Sequence, residues 1–303
     1  MSATLGLEEF GMFIATLIAA DRLDAGDISS ALDKLSDAGC GPRGVETLDE
    51  DKASDLFFNA APDAARAALE GVFDRVDVVV QPAQGREKAL IVADMDSTMI
   101  TVECIDELAD YAGIKAQIAE VTEAAMRGEL DFAAALDARV ALLKGLGADA
   151  IDRCLAERVK LMPGARTLVQ TMKVRGATAI LVSGGFTRFA EPVGAQIGFD
   201  RVIANELLIA DDVLTGAVTK PIVDSSTKEV TLLGAMAELG LDASATMAVG
   251  DGANDLAMIR KAGLGVAYHA KPIVAAAAGA RIDHGDLTAL LYAQGIARGD
   301  WVE

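Results

Sequence analysis

Several absences narrow the field before any motif is considered. Cysteine is scarce: Cys40, Cys104 and Cys154 are odd in number, far apart, and include no CxxC pair. That pattern gives no disulfide framework and no zinc signature, and it fits a reducing compartment. Positive charge is short as well, with 27 Lys and Arg against 46 Asp and Glu, a formal charge of -19 and a pI near 4.5. Nucleic-acid binders draw affinity from cations that neutralise phosphates, so no such partner is expected. An anionic small substrate would need cations gathered locally. No apolar stretch approaches the roughly 18 residues of a membrane span. The first residues carry Glu8 and Glu9 and reach a basic side chain only at Arg22, the wrong polarity for a signal peptide. A soluble cytoplasmic protein without a membrane partner is the expectation. Aromatic residues supply only 4% of the chain against 52% hydrophobic residues, so the core must be aliphatic and rich in alanine. The 303 residues suffice for one large domain or two smaller ones.

What is present is concentrated at the ends of three apolar runs. Ala89 to Ala93 is unbroken, rich in β-formers and too short for a globular helix, which predicts a strand buried on both faces. Asp94, Met95, Asp96, Ser97 and Thr98 follow at once. A single acid after a strand is usually a loop solubiliser. Two further runs argue against that here: Ala177 to Phe186 ends in Ser183, Gly184 and Gly185, and Ala245 to Asp255 ends in Asp251, Asn254 and Asp255 among glycines. In open α/β sheets, ligands bind where parallel strands end, so three such ends predict a reaction centre.

Around this centre the chain reads in order. Residues 1–84 are a small α+β unit: a strand over Phe10 to Ala19, a helix over Ala25 to Asp37, strand-like material with a turn over Gly44 to Asn59, a helix over Asp63 to Phe73 and a strand over Val76 to Val80. The order resembles the βαββαβ pattern of ferredoxin-like domains, including the ACT type. Gln81 to Lys88 is polar, contains Pro and Gly, and predicts a linker. Residues 85–303 form the second unit. From near Val102 to Val169 the pattern is helical, which predicts a cap inserted after the first strand, at about residues 100–167. Phe132 and Arg139, seven apart, share a face if Asp131 to Lys144 is one helix, with Leu136, Val140 and Leu143 as its apolar stripe. Asp106, Glu107 and Asp110 read as solvated surface. A helix over about Arg166 to Arg175 and a strand ending at Ser183 come next. Val202 to Ile209 and Val213 to Val218 predict a hairpin around Asp211 and Asp212. A helix over Lys228 to Leu239, a strand before Gly250, a short strand over Gly265 to Tyr268 and a helix opened by Lys271 and Pro272 complete the pattern.

Asp94-Met95-Asp96-Ser97-Thr98, Ser183-Gly184-Gly185, Lys228 and Gly250-Asp251-Gly252-Ala253-Asn254-Asp255 occur in the order of the four motifs of the haloacid dehalogenase superfamily. The resemblance covers residues 89 to about 295. Within the superfamily the wording DSTMI, VSGGF and VGDGAND is most similar to the phosphoserine phosphatase family. It implies an α/β fold with a Rossmann-like parallel sheet and the inserted helical cap, beside the small amino-terminal ferredoxin- or ACT-like domain suggested by the element order of residues 1–84. It further implies hydrolysis of O-phospho-L-serine, the last step of serine biosynthesis, with a magnesium ion on Asp94, Asp251 and the Asp96 backbone carbonyl, supported by Asn254 and Asp255. By the same resemblance Glu103, Met126, Phe132 and Arg139 contact the substrate, Ser183, Gly184 and Asn254 lie at its phosphate end, and Lys228 neutralises phosphate charge. A homodimer is left open.

The residues themselves suit this chemistry. An Asp with an unperturbed pKa of about 3.9 is ionised at neutral pH, so Asp94 can attack phosphorus to give an aspartyl-phosphate. Asp96 can protonate the leaving oxygen and then activate water, provided neighbouring negative charge raises its pKa. Two like charges about 4 Å apart repel by roughly 4 kcal/mol at an effective dielectric of 20, so such a cluster of acids calls for a divalent cation. Arg139 can fork onto the serine carboxylate, and Glu103 can accept from its ammonium. The rival expectations are a related phosphatase or phosphotransferase acting on another small phosphomonoester, and an amino-acid-sensing regulator.

Overall fold

The computed structural model describes residues 11–126 and 129–303, and the side chain of Met126 lies outside the described set. The first unit runs β1 (Phe13–Ala19), α1 (Ala25–Asp37), β2 (Pro42–Asp49), β3 (Ala53–Phe58), α2 (Pro62–Leu69) and β4 (Val76–Pro82), in an antiparallel sheet ordered β2-β3-β1-β4. Alternation along the strands decides what each face does. Leu17, Leu56, Phe58, Val76 and Val78 point to the side covered by Ala31 and Leu35 of α1 and Ala65 and Leu69 of α2. Their neighbours Thr16, Ile18, Ala53, Asp55, Asp77, Val79 and Gln81 point the other way and are buried all the same. That second face carries polar groups because it docks on the rest of the chain. Gln81 donates to the Ala293 carbonyl at 2.6 Å, and Asp55 accepts from Thr16 at 2.7 Å and from Arg86 at 2.6 Å.

Local differences from the sequence expectation have physical reasons. The helix expected over Asp63 to Phe73 stops at Leu69, before Gly71 with its φ of 72°. Strand β2 lacks a clear pattern because it is the exposed edge of its sheet. The expected linker begins as the last two residues of β4, and Lys88 within it is buried, its ammonium donating to the carbonyls of Gly85 at 2.7 Å and Ser244 at 2.8 Å.

Burial of Lys88 pulls its pKa down to about 8. The unfolded chain therefore holds this proton over a pH range where the folded chain has released it, and stability rises with pH through that window. Between pH 8 and pH 10 the gain from this one group is about 2 kcal/mol. Urea unfolding at both pH values is expected to show a smaller rise in Lys88→Met; an unchanged rise would remove Lys88 from the account.

The second unit begins with β5 (Leu90–Ala93) and continues through a helical block, α3 (Cys104–Tyr111), α4 (Lys115–Met126), α5 (Phe132–Leu142) and α6 (Asp149–Arg158). It returns as α7 (Ala165–Val174), β6 (Thr178–Phe186), α8 (Thr187–Ile197) and β7 (Arg201–Asn205). A hairpin of β8 (Leu207–Ala210) and β9 (Val213–Val218) follows, then α9 (Ser225–Leu239), β10 (Thr246–Gly250), α10 (Leu256–Lys261), β11 (Leu264–Tyr268), α11 (Pro272–Ala275), β12 (Ala280–Ile282) and α12 (Ala289–Ala293). The parallel sheet has the order β12-β11-β10-β5-β6-β7. Every residue of β5 is buried, as an uninterrupted apolar run requires. Ile91 and Ala93 join the layer of Leu168, Phe189 and Val193, whereas Leu90 and Val92 join that of Leu232 and Met258. Helices thus cover both faces.

Val202 to Ile209 does not act as one arm of a hairpin. Its first part is the edge strand β7 of the main sheet, and only Leu207–Ala210 pairs with β9. The hairpin lies against the helical block: Gly145 donates to Leu214 and Leu214 to Leu146, both at 2.8 Å, and Lys220 pairs with Asp137 at 2.7 Å. At Gly216, with φ +84°, a Cβ would lie 2.9 Å from Lys144 Cβ, so glycine permits this approach. Glu107 and Asp110 are not loose surface acids, because Arg158 of α6 binds both and ties it to α3.

Candidate active site

Register brings the three polar strand ends to one level. Val249 of β10 lies opposite Ala93, and Ala93 opposite Leu181 of β6. Asp94 therefore emerges beside Asp251, with Ser183 on its other side, and its amide donates to the Val249 carbonyl at 3.0 Å. Strand β5 sits where the sheet order reverses direction, the switch point at which open α/β sheets leave a crevice. Here the crevice is a cavity of about 580 Å³ lined by Asp94, Asp96, Ser183, Gly184, Asp251 and Asn254 from the sheet side, and by Glu103, Phe132 and Arg139 from the helical block. The Met126 contact expected from the sequence lies outside the described residues.

Lys228 reaches this point from the first turns of α9. It is only 1% exposed and stands behind the cavity wall, with its ammonium 2.7 Å from Asp94 Oδ1 and 2.6 Å from Asp255 Oδ1. Burial alone would pull this ammonium down, yet the two carboxylates outweigh it and hold it above the ordinary lysine range. Asp224 places the residue: its carboxylate accepts from the Thr227 amide at 3.0 Å and caps α9 immediately before Lys228. Such a cap stabilises a helix by about 1 kcal/mol.

Asp255 is full on both oxygens, since Oδ2 accepts from the Gly252 amide at 3.0 Å. A Cβ at Gly250 would come within 2.3 Å of the Asp255 carboxylate carbon, so glycine there is a requirement of packing. Asp94 Oδ1 is likewise engaged, by Lys228 and by the Met95 amide at 2.8 Å. Its Oδ2 is left without a hydrogen bond among the described residues. Asp251 accepts a long bond from Thr98, 3.4 Å at Oδ1, and its pKa is pushed up to about 6 by burial and then by Asp94 and Glu103.

Carboxylate oxygens of Asp94, Asp251 and Asp255 lie within 4.8 Å of one another. Hard, mutually repelling oxygen donors of this kind fit an oxyphilic divalent cation. Because Asp255 already serves Lys228 and Gly252, Asp94 and Asp251 are the better placed to hold one. Asp96 carries a different signature: Oδ1 is buried with no hydrogen-bond partner among the described residues. Burial first, then Glu103 and Asp94, hold its pKa well above the usual carboxylate range. A carboxyl raised in this way beside Asp94 is suited to hold a proton and give it up.

On the opposite wall, Glu103 accepts from Ser97 Oγ at 2.6 Å, and Ser97 has a φ of 55°, a strained value for a residue with a side chain. Arg139 donates from Nε to Ala135 of its own helix at 3.2 Å, which leaves the ends of its fork for another partner. The Phe132 ring reaches across: a Cβ on Gly184 would meet it at 3.1 Å. The cap is thus closed over the Ser183–Gly184 turn. Ser183 Oγ accepts from the Gly185 amide at 2.9 Å, so its own proton can be donated elsewhere.

Three residues in or beside the cavity are not assigned to it by the sequence. Asn205, 2% exposed at the end of β7, donates to Gly184 at 2.9 Å and to Val223 at 3.2 Å and accepts from the Val223 amide at 2.7 Å. It therefore joins the serine turn to the segment leading into α9. Lys271 and Asp106 line the cavity as well. Asn205 and Lys271 stand alone in their stretches of chain and give a motif scan nothing to find, whereas Asp106, expected as solvated surface among Glu103, Glu107 and Asp110, in fact lines the cavity.

The family profile described as haloacid dehalogenase-like hydrolase matches residues 91–260. A phosphoserine phosphatase of Mycobacterium tuberculosis is 46% identical over 229 residues, 75% of this chain and 56% of that one. The chain thus spans little more than half the length of that relative. A phosphoserine phosphatase from a Polaromonas species is 47% identical over 207 residues, 67% of this chain and 88% of that one. The crystal structure of an unliganded probable phosphoserine phosphatase from Vibrio cholerae superposes with a TM-score of 0.77 at 32% identity, covering 96% of this chain and 88% of that one. That similarity includes the amino-terminal sheet.

Proposed function

The chain belongs to the haloacid dehalogenase-like hydrolases, and from that membership we propose that it hydrolyses O-phospho-L-serine to L-serine and phosphate, with Asp94 as nucleophile. The observation that carries this reading is that Asp94 and Asp96 line one cavity together with Arg139 and Glu103. A phosphomonoester bearing a carboxylate and an ammonium meets a matching charge at each point. The named activity of the relatives supports the same substrate.

In the first step Asp94 Oδ2 attacks phosphorus while Asp96 transfers its proton to the serine oxygen that leaves. The Ser183 hydroxyl and the Gly184 amide hold phosphoryl oxygens as negative charge develops on them. Lys228 aims Asp94, and its positive charge sits beside the carboxylate that becomes phosphorylated. In the second step Asp96, now a carboxylate, takes a proton from the water that attacks phosphorus, which releases phosphate and restores Asp94. Asp94, Asp251 and the Asp96 backbone carbonyl would hold a magnesium ion, which would supply positive charge to offset that of the acids and the phosphoryl group. Arg139 and Glu103 orient the amino-acid end, and Phe132 excludes water above the bond. The three free, buried cysteines support a reducing, cytoplasmic setting.

A panel of phosphomonoesters with and without magnesium tests the assignment, and phosphoserine is expected to be the preferred substrate and to require the ion. Arg139→Ala is expected to lower kcat/KM for phosphoserine about 100-fold, the effect of losing a charged fork of about 3 kcal/mol, while altering p-nitrophenyl phosphate hydrolysis by less than about tenfold. Equal losses on both substrates would make Arg139 a structural residue.

A further inference from the structure

Away from the catalytic centre, a cavity of about 330 Å³ opens where the amino-terminal sheet meets the carboxyl-terminal segment. Lys52 and Arg75 enter it from the turns before β3 and β4, and Arg298 enters from the other side. The rings of Tyr292 and Trp301, with centroids 4.9 Å apart, form a wall. For a chain of formal charge -19 this is a local reversal of sign. Asp286 is the one acid in the lining among the described residues, and its Oδ1 already accepts from the Thr288 amide and hydroxyl.

The cations retain unused donors. Lys52 gives its ammonium to the carbonyls of Ala20 at 3.0 Å and Asp21 at 2.5 Å, and it has no carboxylate partner among the described residues. An ammonium has three donors, so one remains. Arg75 binds Asp21 through Nε and Nη2, which leaves Nη1. Arg298 forms no ion pair among the described residues and lies 5.8 Å from the centre of the Trp301 ring. Arg75 also has a φ of 54°, a left-handed value uncommon for a bulky residue.

From this convergence we infer that the cavity binds a small oxyanion, a carboxylate or phosphate group, with Lys52 and Arg298 as its main partners and the aromatic wall as the seat for the rest of the ligand. The segment lining the floor is held on two sides. Asp77 of β4 accepts from the amides of Asp283 at 2.8 Å and Gly285 at 2.7 Å, and Leu287 donates to the Pro163 carbonyl at 3.2 Å. A ligand here would therefore sit one backbone contact from the point where the chain returns from the cap.

Trp301 is the single tryptophan of the chain, so its emission reports on this cavity. The full chain is titrated with sodium phosphate and, separately, with sodium malonate, at an ionic strength held constant with sodium chloride. A saturable change in emission in the millimolar range or tighter is expected. It should weaken about tenfold or more in Lys52→Gln/Arg298→Gln, a loss of about 1.4 kcal/mol. Asp94→Asn should leave it unchanged, and the basal phosphatase rate of the double variant should equal that of the parent. Response to phosphate alone or malonate alone identifies the source of the oxyanion. No saturable change with either anion, or an equal response in the double variant, overturns the inference. Because the readout is not catalytic, that failure would leave the proposed activity standing.

Discussion

Asp94→Asn is expected to lower phosphoserine turnover by about four orders of magnitude or more, as loss of an enzymatic nucleophile generally does. The substitution is nearly isosteric, and an amide oxygen can still accept from the Met95 amide now bonded to Asp94 Oδ1 at 2.8 Å. The side chain loses its nucleophilic oxygen and one of the two negative charges on Lys228. Removing one partner of a buried ion pair, so that the other charge is left unpaired, costs about 3–5 kcal/mol. Asp255 remains beside Lys228, so the fall in stability should be smaller and the chain should stay folded at 25 °C. Steady-state kinetics with a near-ultraviolet circular dichroism control checks both halves. A folded Asp94→Asn chain with near-normal turnover would refute the nucleophile.

Asp96→Asn should separate the two chemical steps. Loss of a general acid costs about 10²- to 10⁴-fold when the leaving group is an alkoxide. Serine is such a leaving group, so phosphoserine turnover should fall by that factor. p-Nitrophenolate departs without a proton, so Asp94 should still be phosphorylated from p-nitrophenyl phosphate at a rate close to that of the parent. Release of phosphate then stalls, because no carboxylate is present to take the proton from water. A burst of about one nitrophenolate per chain followed by a slow phase is the expected trace. Equal losses on both substrates with no burst would remove Asp96 from both proton transfers.

The centre of the fold was legible because its signals are local. An apolar run with β-formers and no polar interruption must be buried on both faces, and β5, β6 and β10 are. Asp94, Asp96, Ser183 and Asp251, which follow or end those runs, line one cavity for the same reason: parallel strands bring like ends together. Long-range partners left no local trace. Asp55, Asp77 and Gln81 look like the solvent face of an amphipathic sheet, and only the docking of that sheet on residues near 283–294 makes the face internal. Strand β12 escaped detection because it is three residues long and follows an alanine run. Strand β7 reads as part of the hairpin because Glu206 alone separates it from β8, and Asn205 with Glu206 interrupts an otherwise apolar stretch only briefly. For Lys228 the motif supplied the residue, while its station behind Asp94 depends on the packing of α9 against β5 and β6.

The central claim is that a phosphoryl group passes through Asp94. Acid quenching during phosphoserine turnover, borohydride reduction and peptide mass spectrometry test it directly, since borohydride converts an aspartyl-phosphate to homoserine. Homoserine at position 94, absent without substrate, is the result expected. Turnover at the full rate with unmodified Asp94 and the reduced residue elsewhere would contradict it.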